Sequence, residues 1–254
     1  MKPVTLITGA TSGIGEACAK VFAKAGHKLI LMGRRKDRLE QLRVELLSIG
    51  AEAVQLFDLD VRSRESLQLF AENQAQLLER VQIGIINAGL ARGLDPLHEG
   101  KAQDWEDMID TNLKGALWTT ELLLPPMIRK NSGHLVFLGS VAARWLYPKG
   151  NVYSATKAAL HALAESIRLD LLGSAIRVTT LAPGLVETEF SEVRFSGDQK
   201  RAQSVYQGIE ALQPEDIAEA AWWVCTRPPH VTIQEMVIYP TAQASPSQVA
   251  RKST

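Results

Sequence analysis

Short runs of apolar residues recur along the chain, and longer stretches with a helical period separate them. Seven runs have the length and composition of buried strands. They span residues 3–8, 28–32, 53–57, 83–87, 134–139, 176–181 and 234–239. The runs do not alternate apolar and polar residues, as expected when both faces of a parallel sheet are covered. The helical stretches span residues 14–25, 36–49, 63–79, 104–129, 152–172 and 214–226.

The alternation of strands and helices predicts one doubly wound α/β domain over residues 1–240. A chain of 254 residues is long enough to fill a large core in such a domain. Residues 184–213 are too long for an ordinary connection and are predicted to form a lid. Residues 241–254 are predicted to be a C-terminal tail, either disordered or reaching across a subunit boundary.

The charge balance excludes several classes of function. Lys and Arg together number 28, as do Asp and Glu, so no global field attracts nucleic acid or an anionic membrane. The start, MKPVTLITGA, enters a strand without a signal peptide, and no apolar run is long enough to span a bilayer. We therefore expect a soluble, cytoplasmic protein.

The cysteines and histidines do not indicate a metal. Cys18 and Cys225 both lie in predicted helices and are expected to be buried thiols in a reducing compartment. The five histidines show no metal-ligand spacing and are interpreted as surface or core residues. The sequence therefore predicts no metal site.

The segment TGATSGIG, residues 8–15, follows the first strand and opens the first helix. Its three glycines lack the β-carbons that would keep a pyrophosphate from backbone N–H groups at a helix N-terminus. It is not a nucleotide-triphosphate loop, because no Gly-Lys-Ser/Thr follows. The turn predicts dinucleotide binding through Gly9, Thr11, Ser12, Gly13, Ile14 and Gly15.

The end of the second strand indicates which dinucleotide is bound. An NAD enzyme usually carries an acid there for the ribose 2′-hydroxyl, but this chain reads LILMGRRKDR. The guanidinium groups of Arg34 and Arg35 suit a 2′-phosphate, and we expect no carboxylate nearby to repel it. The pair favours NADP over NAD, the alternative being a solvated, basic helix start.

Two further strand ends carry polar candidates. Asp60, followed by Val61, ends the third strand where an adenine amino group could be bonded. Asn87 ends the fourth strand, where the backbone should pass close to the ribose on the nicotinamide side. The alternatives are a strand-end cap for Asp60 and a turn residue for Asn87.

A tyrosine and a lysine lie one helical turn apart in NVYSATKAAL, residues 151–160. Residues four apart share one face of a helix, so Tyr153 and Lys157 are expected to be neighbours. An ammonium near a phenol favours the phenolate and lowers the pKa of the phenol. The alternative is a surface helix that carries both residues by coincidence.

Several motifs in one order carry a family resemblance. They are TGATSGIG, NAG at 87–89, Asn112 in DMIDTNLKG, Ser140 thirteen residues before Tyr153, Tyr153-x-x-x-Lys157, and PG at 183–184. Together they resemble the short-chain dehydrogenase/reductase family over essentially the full chain. The resemblance implies a single-domain Rossmann fold with a doubly wound, seven-stranded parallel sheet and helices on both faces. It also implies hydride transfer between a nicotinamide cofactor and an alcohol or carbonyl compound.

The resemblance implies a role for each catalytic position. Tyr153 would be the general acid/base, and Lys157 would lower its pKa and bond the nicotinamide ribose. Ser140 would donate to the carbonyl oxygen, and Asn112 would anchor a proton-relay water. A serine nucleophile is the competing interpretation of Ser140, but LGSVA lacks the G-x-S-x-G elbow and no histidine is suitably placed.

The resemblance extends to cofactor contacts and to assembly. It implies further cofactor contacts at Pro183, Gly184, Val186 and Thr188. It also implies that helices 104–129 and 152–172 form an interface between subunits, in a homodimer or homotetramer. The alternative for the alanine-rich helix around Tyr153 is ordinary packing against the sheet.

Residues 182–198, APGLVETEFSEVRFSGD, resemble one branch of the family more closely than the family as a whole. With GNVYSATK, GRR and PEDIAEAAWWV, this segment resembles the NADP-dependent 3-hydroxy acid dehydrogenases. That branch implies substrates such as L-allo-threonine, L-serine and 3-hydroxypropionate or malonic semialdehyde. The alternatives are an NADPH-dependent general ketone or aldehyde reductase of the same family, and a non-catalytic NADP-binding sensor.

The predicted lid supports a small, charged substrate. Charged residues interrupt its apolar positions, unlike the wide apolar surface that a lipid or steroid requires. A small acid needs a cation for its carboxylate. Arg194 is the first candidate, beside Ser140 and Tyr153 as the other substrate contacts, and Arg144 is the second. Either arginine is alternatively a solvated loop charge.

Overall fold

One parallel sheet forms the centre of the protein in this computed structural model, which describes residues 2–252. Met1 of the predicted domain and residues 253 and 254 of the predicted tail lie outside the described residues. The strands are β1 (Val4–Thr8), β2 (Lys28–Gly33), β3 (Ala53–Asp58), β4 (Val81–Ile86), β5 (Gly133–Leu138), β6 (Ile176–Pro183) and β7 (Glu235–Ile238). All neighbouring strands run parallel, in the order β3-β2-β1-β4-β5-β6-β7. The predicted seven-stranded Rossmann sheet is confirmed.

Helices cover both faces of this sheet. They are α1 (Gly13–Lys24), α2 (Lys36–Ser48), α3 (Arg64–Asn73), α4 (Ala75–Leu78), α5 (Ala102–Ile109), α6 (Gly115–Lys130), α7 (Asn151–Asp170), α8 (Phe190–Arg194), α9 (Gln199–Ser204) and α10 (Pro214–Cys225). Successive residues of β2 illustrate the packing: Leu29 and Leu31 belong to one apolar cluster, Ile30 and Met32 to the other. Side chains on a strand alternate between the faces, so continuous apolar runs supply both cores.

Two predicted helices differ from the structure. The predicted helix 63–79 divides into α3 and α4 because Gln74 leaves the helical conformation, with φ −120° and ψ 26°. The predicted helix 104–129 begins at Ala102 and contains a π-helical turn at Asp110–Lys114 between α5 and α6. Such wider turns often lie at functional sites, and this one contains Asn112.

The C-terminal tail packs against segment 184–213 of its own chain. Its short strands β8 (Gln243–Ser245) and β9 (Gln248–Val249) pair antiparallel. The side-chain oxygen of Gln243 accepts a hydrogen bond from the Leu185 N–H at 2.8 Å. The Lys252 N–H donates to the carbonyl oxygen of Gly208 at 2.8 Å. The tail and the predicted lid therefore form one layer over the carboxyl ends of the strands.

The structure also shows the burial of the two cysteines and the character of the helices. Cys18 and Cys225 are buried free thiols, as predicted. Within residues 2–252, no helix has the length and apolar character needed to cross a bilayer. The same residues contain no group of three or more His, Cys, Asp or Glu arranged to hold a metal ion.

Candidate active site

A cleft of about 650 Å³ lies at the carboxyl edge of the sheet, where open α/β folds bind ligands. It brings most of the predicted site residues together. Those that line it are Gly9, Thr11, Ser12, Gly13, Ile14, Arg34, Arg35, Asp60, Val61, Asn87, Ser140, Tyr153, Lys157, Pro183, Gly184, Val186, Thr188 and Arg194. Two predicted site residues, Gly15 and Asn112, do not line the cleft.

The glycine-rich turn needs glycine for two separate reasons. Gly9 and Gly13 have φ of 66° and 55°, the left-handed region that side chains with a β-carbon avoid. A β-carbon on Gly15 would overlap the carbonyl oxygen of Gly9, and one on Gly13 would lie 3.1 Å from Thr188 Cγ2. The turn thus stays close to both α1 and segment 184–213, with its backbone open to the cleft.

Asn87 fastens the end of β4 to this turn. Its side-chain amide donates to the carbonyl oxygens of Thr8 at 2.9 Å and Gly9 at 3.1 Å. The Thr8 hydroxyl accepts from the Asn87 and Ala88 N–H groups, both at 3.1 Å. Asn87 therefore acts on the glycine turn through its side chain, while its backbone lines the cleft.

Arg35 crosses the mouth of the glycine turn. Its guanidinium donates to the hydroxyl of Thr11 at 2.8 Å and of Ser12 at 2.6 Å. It also donates to Glu189 at 2.8 Å, and Arg38 donates to the second oxygen of the same carboxylate at 2.5 Å. Burial opposes ionisation of Glu189, but the hydrogen bonds from both arginines hold its pKa below the usual value. The expectation of no nearby carboxylate is therefore wrong, because the chain folds segment 184–213 back onto α2.

Arg34 and Asp60 form the outer rim of the same region. Arg34 is 57% exposed, with its guanidinium 3.8 Å from the Asp60 carboxylate. Asp60 accepts from Arg62 at 2.7 Å. Partial burial opposes ionisation, but the hydrogen bonds from Arg62 keep the pKa of Asp60 below its ordinary value. Adenine binding by Asp60 stays a prediction, and its carboxylate already has a cation as partner.

Tyr153 and Lys157 share one face of α7, as the spacing predicts. The Lys157 ammonium donates to the carbonyl oxygen of Leu138 at 2.7 Å and is 5% exposed. Burial lowers the pKa of Lys157 to about 8. The ammonium is thus held at the end of β5, and Lys157 lines the cleft there.

The electrostatics of Tyr153 differ from the expectation. Burial raises the pKa of Tyr153 to about 12. The groups that oppose this rise are first Arg194, whose guanidinium carbon lies 5.0 Å from the ring centroid, and then the Ser140 hydroxyl. Arg194 is therefore a cation that stabilises the phenolate, and the predicted effect of Lys157 on the pKa of Tyr153 stays a prediction.

Ser140 starts a short 3-10 turn immediately after β5. Its hydroxyl accepts from the Ala142 N–H at 3.1 Å and so caps that turn. Its own backbone N–H donates to the ring Nε2 of His161 on α7 at 3.3 Å. The hydroxyl keeps its proton for donation, either to the Tyr153 oxygen or to a substrate oxygen.

Asn112 is fully buried in the π-helical turn, and its side chain bonds the backbone of Leu90. The amide oxygen accepts from the Leu90 N–H at 2.8 Å, and the amide nitrogen donates to the Leu90 carbonyl at 2.8 Å. The nitrogen also donates to Thr156 Oγ1 on α7 at 3.1 Å. Asn112 therefore joins the segment after β4 to α7. Its predicted role in holding a relay water stays a prediction.

Arg194 reaches the cleft from α8. It donates to the hydroxyl of Tyr147 at 2.8 Å, and its guanidinium lies over Phe190 and Tyr153. Within the described residues, its buried Nε has no hydrogen-bond partner. A buried donor without a partner is costly, so a rearrangement that gave this atom an acceptor would be favourable. Arg144, the second candidate anchor, is bound to Glu235 and does not line the cleft.

Comparison with known proteins agrees with this geometry. The short chain dehydrogenase family model matches residues 3–199. The chain belongs to the short-chain dehydrogenase family. It is therefore an oxidoreductase, and the predicted family resemblance is confirmed.

Named relatives of this short-chain dehydrogenase cover nearly its whole length. The NADP-dependent 3-hydroxy acid dehydrogenase YdfG of Salmonella typhi is 45% identical over 95% of this chain and 96% of its own. Sulfoacetaldehyde reductase 2 of Chromohalobacter salexigens is 42% identical over 96% of each chain. The closed form of a serine dehydrogenase complexed with NADP+ has a TM-score of 0.90 and 44% identity. That alignment covers 98% of this chain and 100% of the other.

Sequence reasoning missed several residues of this short-chain dehydrogenase that line the cleft or, like Arg38, bind a residue that lines it. The sequence does not indicate Arg38 or Tyr147, and it indicates Glu189 and Phe190 only as members of segment 184–213. No local spacing identifies them, because each contacts a partner from a distant segment. Phe190 shows this most directly, since its ring lies 5.5 Å from that of Tyr153, edge to face.

Proposed function

We propose that this protein transfers a hydride between NADP(H) and the 3-hydroxyl of small 3-hydroxy acids. L-serine, L-allo-threonine and 3-hydroxypropionate, with malonic semialdehyde as its oxidised form, represent the substrate class. The observation that carries the proposal is a half-buried cation, Arg194, beside the Tyr153 phenol, with a buried Nε that has no hydrogen-bond partner among the described residues. Relatives named as 3-hydroxy acid and serine dehydrogenases support it.

The residues along the glycine turn fit an NADP molecule. The turn places backbone N–H groups at the N-terminus of α1 with no β-carbon at Gly9, Gly13 or Gly15, which suits a pyrophosphate. Arg34 and Arg35, with Arg38 nearby, provide cations for a 2′-phosphate. Pro183, Gly184, Val186 and Thr188 would contact the nicotinamide half. Bound NADPH supplies the hydride in the reducing direction.

The protein's own groups handle the substrate and its proton. Tyr153, with its raised pKa, is a phenol at neutral pH and would donate a proton to the carbonyl oxygen. The Ser140 hydroxyl would bond the same oxygen as negative charge develops. Oxidation of the alcohol requires the phenolate, which Arg194 and Ser140 stabilise. We propose Arg194 also as the anchor of the substrate carboxylate.

Segment 184–213 is proposed as the lid of this site. It brings Glu189 to Arg35 and Arg194 to Tyr153, so both halves of the cleft are bordered by it.

We further propose a cytoplasmic homodimer or homotetramer. Exposed apolar side chains on α5, α6 and α7 support an interface there: Ile109, Leu117, Ile128 and Leu169. Light scattering after size-exclusion chromatography would give the mass, and a monomer would contradict the assembly.

The deciding experiment is a panel of initial rates with NADP and NAD in parallel. The substrates are L-serine, L-allo-threonine, 3-hydroxypropionate, 3-hydroxyisobutyrate, sulfoacetaldehyde in the reducing direction, and a neutral ketone. We expect the highest kcat/KM with carboxylates and NADP(H). A preference for sulfoacetaldehyde would keep the anion anchor and change the substrate class. A preference for the neutral ketone would favour the general reductase.

The non-catalytic sensor is distinguished by binding without turnover. Calorimetry with NADPH measures cofactor affinity independently of chemistry. Tight binding together with no reaction on any alcohol or carbonyl compound would contradict the proposal and support a sensor. The presence of Ser140, Tyr153 and Lys157 around one cleft argues for an enzyme.

A further inference from the structure

A largely buried histidine lies on α7 one turn beyond Lys157. Tyr153, Lys157 and His161 are spaced by four residues, so they lie on one face of α7. The side chain of His161 is 11% exposed. Its ring contacts Ser140 on one side and Glu235 on the other. It lies beneath the cleft and does not line it.

The two neighbours of the ring determine where its proton is. The Ser140 backbone N–H can only donate, so Nε2 of His161, at 3.3 Å, must be the acceptor. The ring proton is then on Nδ1, which lies 3.5 Å from a carboxylate oxygen of Glu235. Glu235 is held in turn by Arg144, whose Nε donates to it at 2.9 Å. The ring acceptor Nε2 thus faces a donor, and the ring donor Nδ1–H faces an acceptor.

The ring also packs directly against the backbone at the end of β5. A β-carbon on Gly139 would overlap Nε2 of His161, so glycine lets the imidazole reach the Ser140 N–H. The Gly139 N–H donates to the Leu181 carbonyl at 2.8 Å, which fixes the other edge of this segment. The backbone that carries the Ser140 hydroxyl is therefore held between β6 and α7.

We propose that His161, oriented by Glu235, is a positioning residue that holds the Ser140 backbone and thereby aims its hydroxyl at the substrate oxygen. The inference rests on the proposed function only in assigning that contact to Ser140. Without an acceptor at Nε2, the Ser140 N–H is left without its partner and the 3-10 turn is free to shift. Small displacements of a reacting group reduce catalysis strongly while leaving distant cofactor contacts intact.

Three variants separate the acceptor from simple packing. In His161→Gln, the side-chain oxygen can occupy the position of Nε2 and accept from Ser140. In His161→Asn, the shorter side chain cannot reach it, and in His161→Leu there is no acceptor. We expect kcat to fall about 10- to 100-fold in the Asn and Leu variants and less than about 3-fold in the Gln variant. KM and the NADPH Kd should stay within about 2-fold in all three.

The outcomes are distinct. Unchanged kcat in His161→Leu would overturn the proposal, as would equal losses in the Gln and Leu variants at equal Tm. Nitrogen NMR of the imidazole tests the geometry in the protein without substrate, so it remains informative if the proposed substrates fail. We expect the Nδ1–H tautomer, with an increased Nε2–H population in Glu235→Ala. A wild-type ring in the Nε2–H form would overturn the assignment.

Discussion

The carboxylate of Glu189 lies 2.8 Å from the guanidinium of Arg35, 154 residues away in the chain. The second carboxylate oxygen binds Arg38 at 2.5 Å. An acid of the proposed lid thus occupies two cations next to the glycine turn. A 2′-phosphate requires the same kind of donors, so carboxylate and phosphate compete for them.

Replacing Glu189 by Gln should therefore tighten NADPH binding. We expect the NADPH Kd to fall about 3- to 10-fold, because the arginines lose a competing anion, while the NADH Kd changes little. Fluorescence titration of each nucleotide measures both constants. Glu187→Gln is the matched control, since Glu187 is exposed in the same segment and contacts Gln213. A larger NADPH Kd in Glu189→Gln would show that Glu189 stabilises the complex with NADPH instead.

Tyr153→Phe should abolish turnover by at least about 10³-fold while leaving the NADPH Kd within about 2-fold. The ring, its packing on Phe190 and its place on α7 remain, and only the proton donor is lost. Single-turnover rates and fluorescence titration separate the two effects. Substantial remaining turnover would contradict the assignment of the general acid/base.

The two reaction directions should differ in pH dependence. Because the pKa of Tyr153 is raised to about 12, the phenolate fraction grows about tenfold per pH unit below that value. With Tyr153 as base, oxidation should accelerate from pH 7 toward the alkaline limit of stability, and reduction should stay flat. A plateau in the oxidation rate near neutral pH would mean that the cofactor complex lowers this pKa substantially.

Arg194→Ala should act on both substrate affinity and proton transfer. A lost charge-assisted hydrogen bond predicts a KM about 10- to 100-fold higher for carboxylates and unchanged for a neutral ketone. Removing this cation also raises the pKa of Tyr153 further, so the oxidation profile should move to higher pH. Arg194→Lys keeps the charge and should recover part of both effects. An unchanged carboxylate KM would exclude Arg194 as the anchor.

Local patterns explain why much of this site could be predicted. The glycine turn and the pair Tyr153 and Lys157 depend on spacings of a few residues within one element. The carboxyl ends of parallel strands meet at one edge, so Asn87 and Ser140 could also be assigned to one cleft. The positions of these residues follow from the order of strands and helices alone. The paths of the loops do not affect them.

Contacts between distant segments account for what could not be predicted. The pairing of Arg35 with Glu189, and of Arg194 with Tyr147, depends on how segment 184–213 folds back over the sheet. The direction of the Lys157 ammonium depends on one carbonyl at the end of β5. The π-helical turn has no sequence period of its own. The charge balance around Tyr153 therefore could not be derived from its neighbours in sequence.

A buried histidine on β5 makes stability depend on pH. His134 Nε2 lies 2.8 Å from Thr179 Oγ1, and that hydroxyl donates to the Ile233 carbonyl at 2.6 Å. Nε2 of His134 must therefore carry the proton, and Nδ1 has no partner among the described residues. Burial and, to a smaller extent, the nearby Arg177 lower the pKa of His134 to about 3. The folded protein keeps this ring neutral.

In the unfolded chain, His134 is protonated below about pH 6.5. In the folded chain, it is protonated only below about pH 3. Stability is therefore complete above pH 6.5 and declines as pH falls through this window, by up to about 1.4 kcal/mol per pH unit. Urea unfolding at pH 7.5, 6.5, 5.5 and 5.0 measures the slope. His134→Gln should reduce the slope without abolishing it, because burial also lowers the pKa of His161 to about 4. His98→Gln, at an exposed position, should leave the slope unchanged. If His134→Gln kept the wild-type slope, the acid sensitivity would have to come from other groups, such as His27, whose pKa burial lowers to about 4.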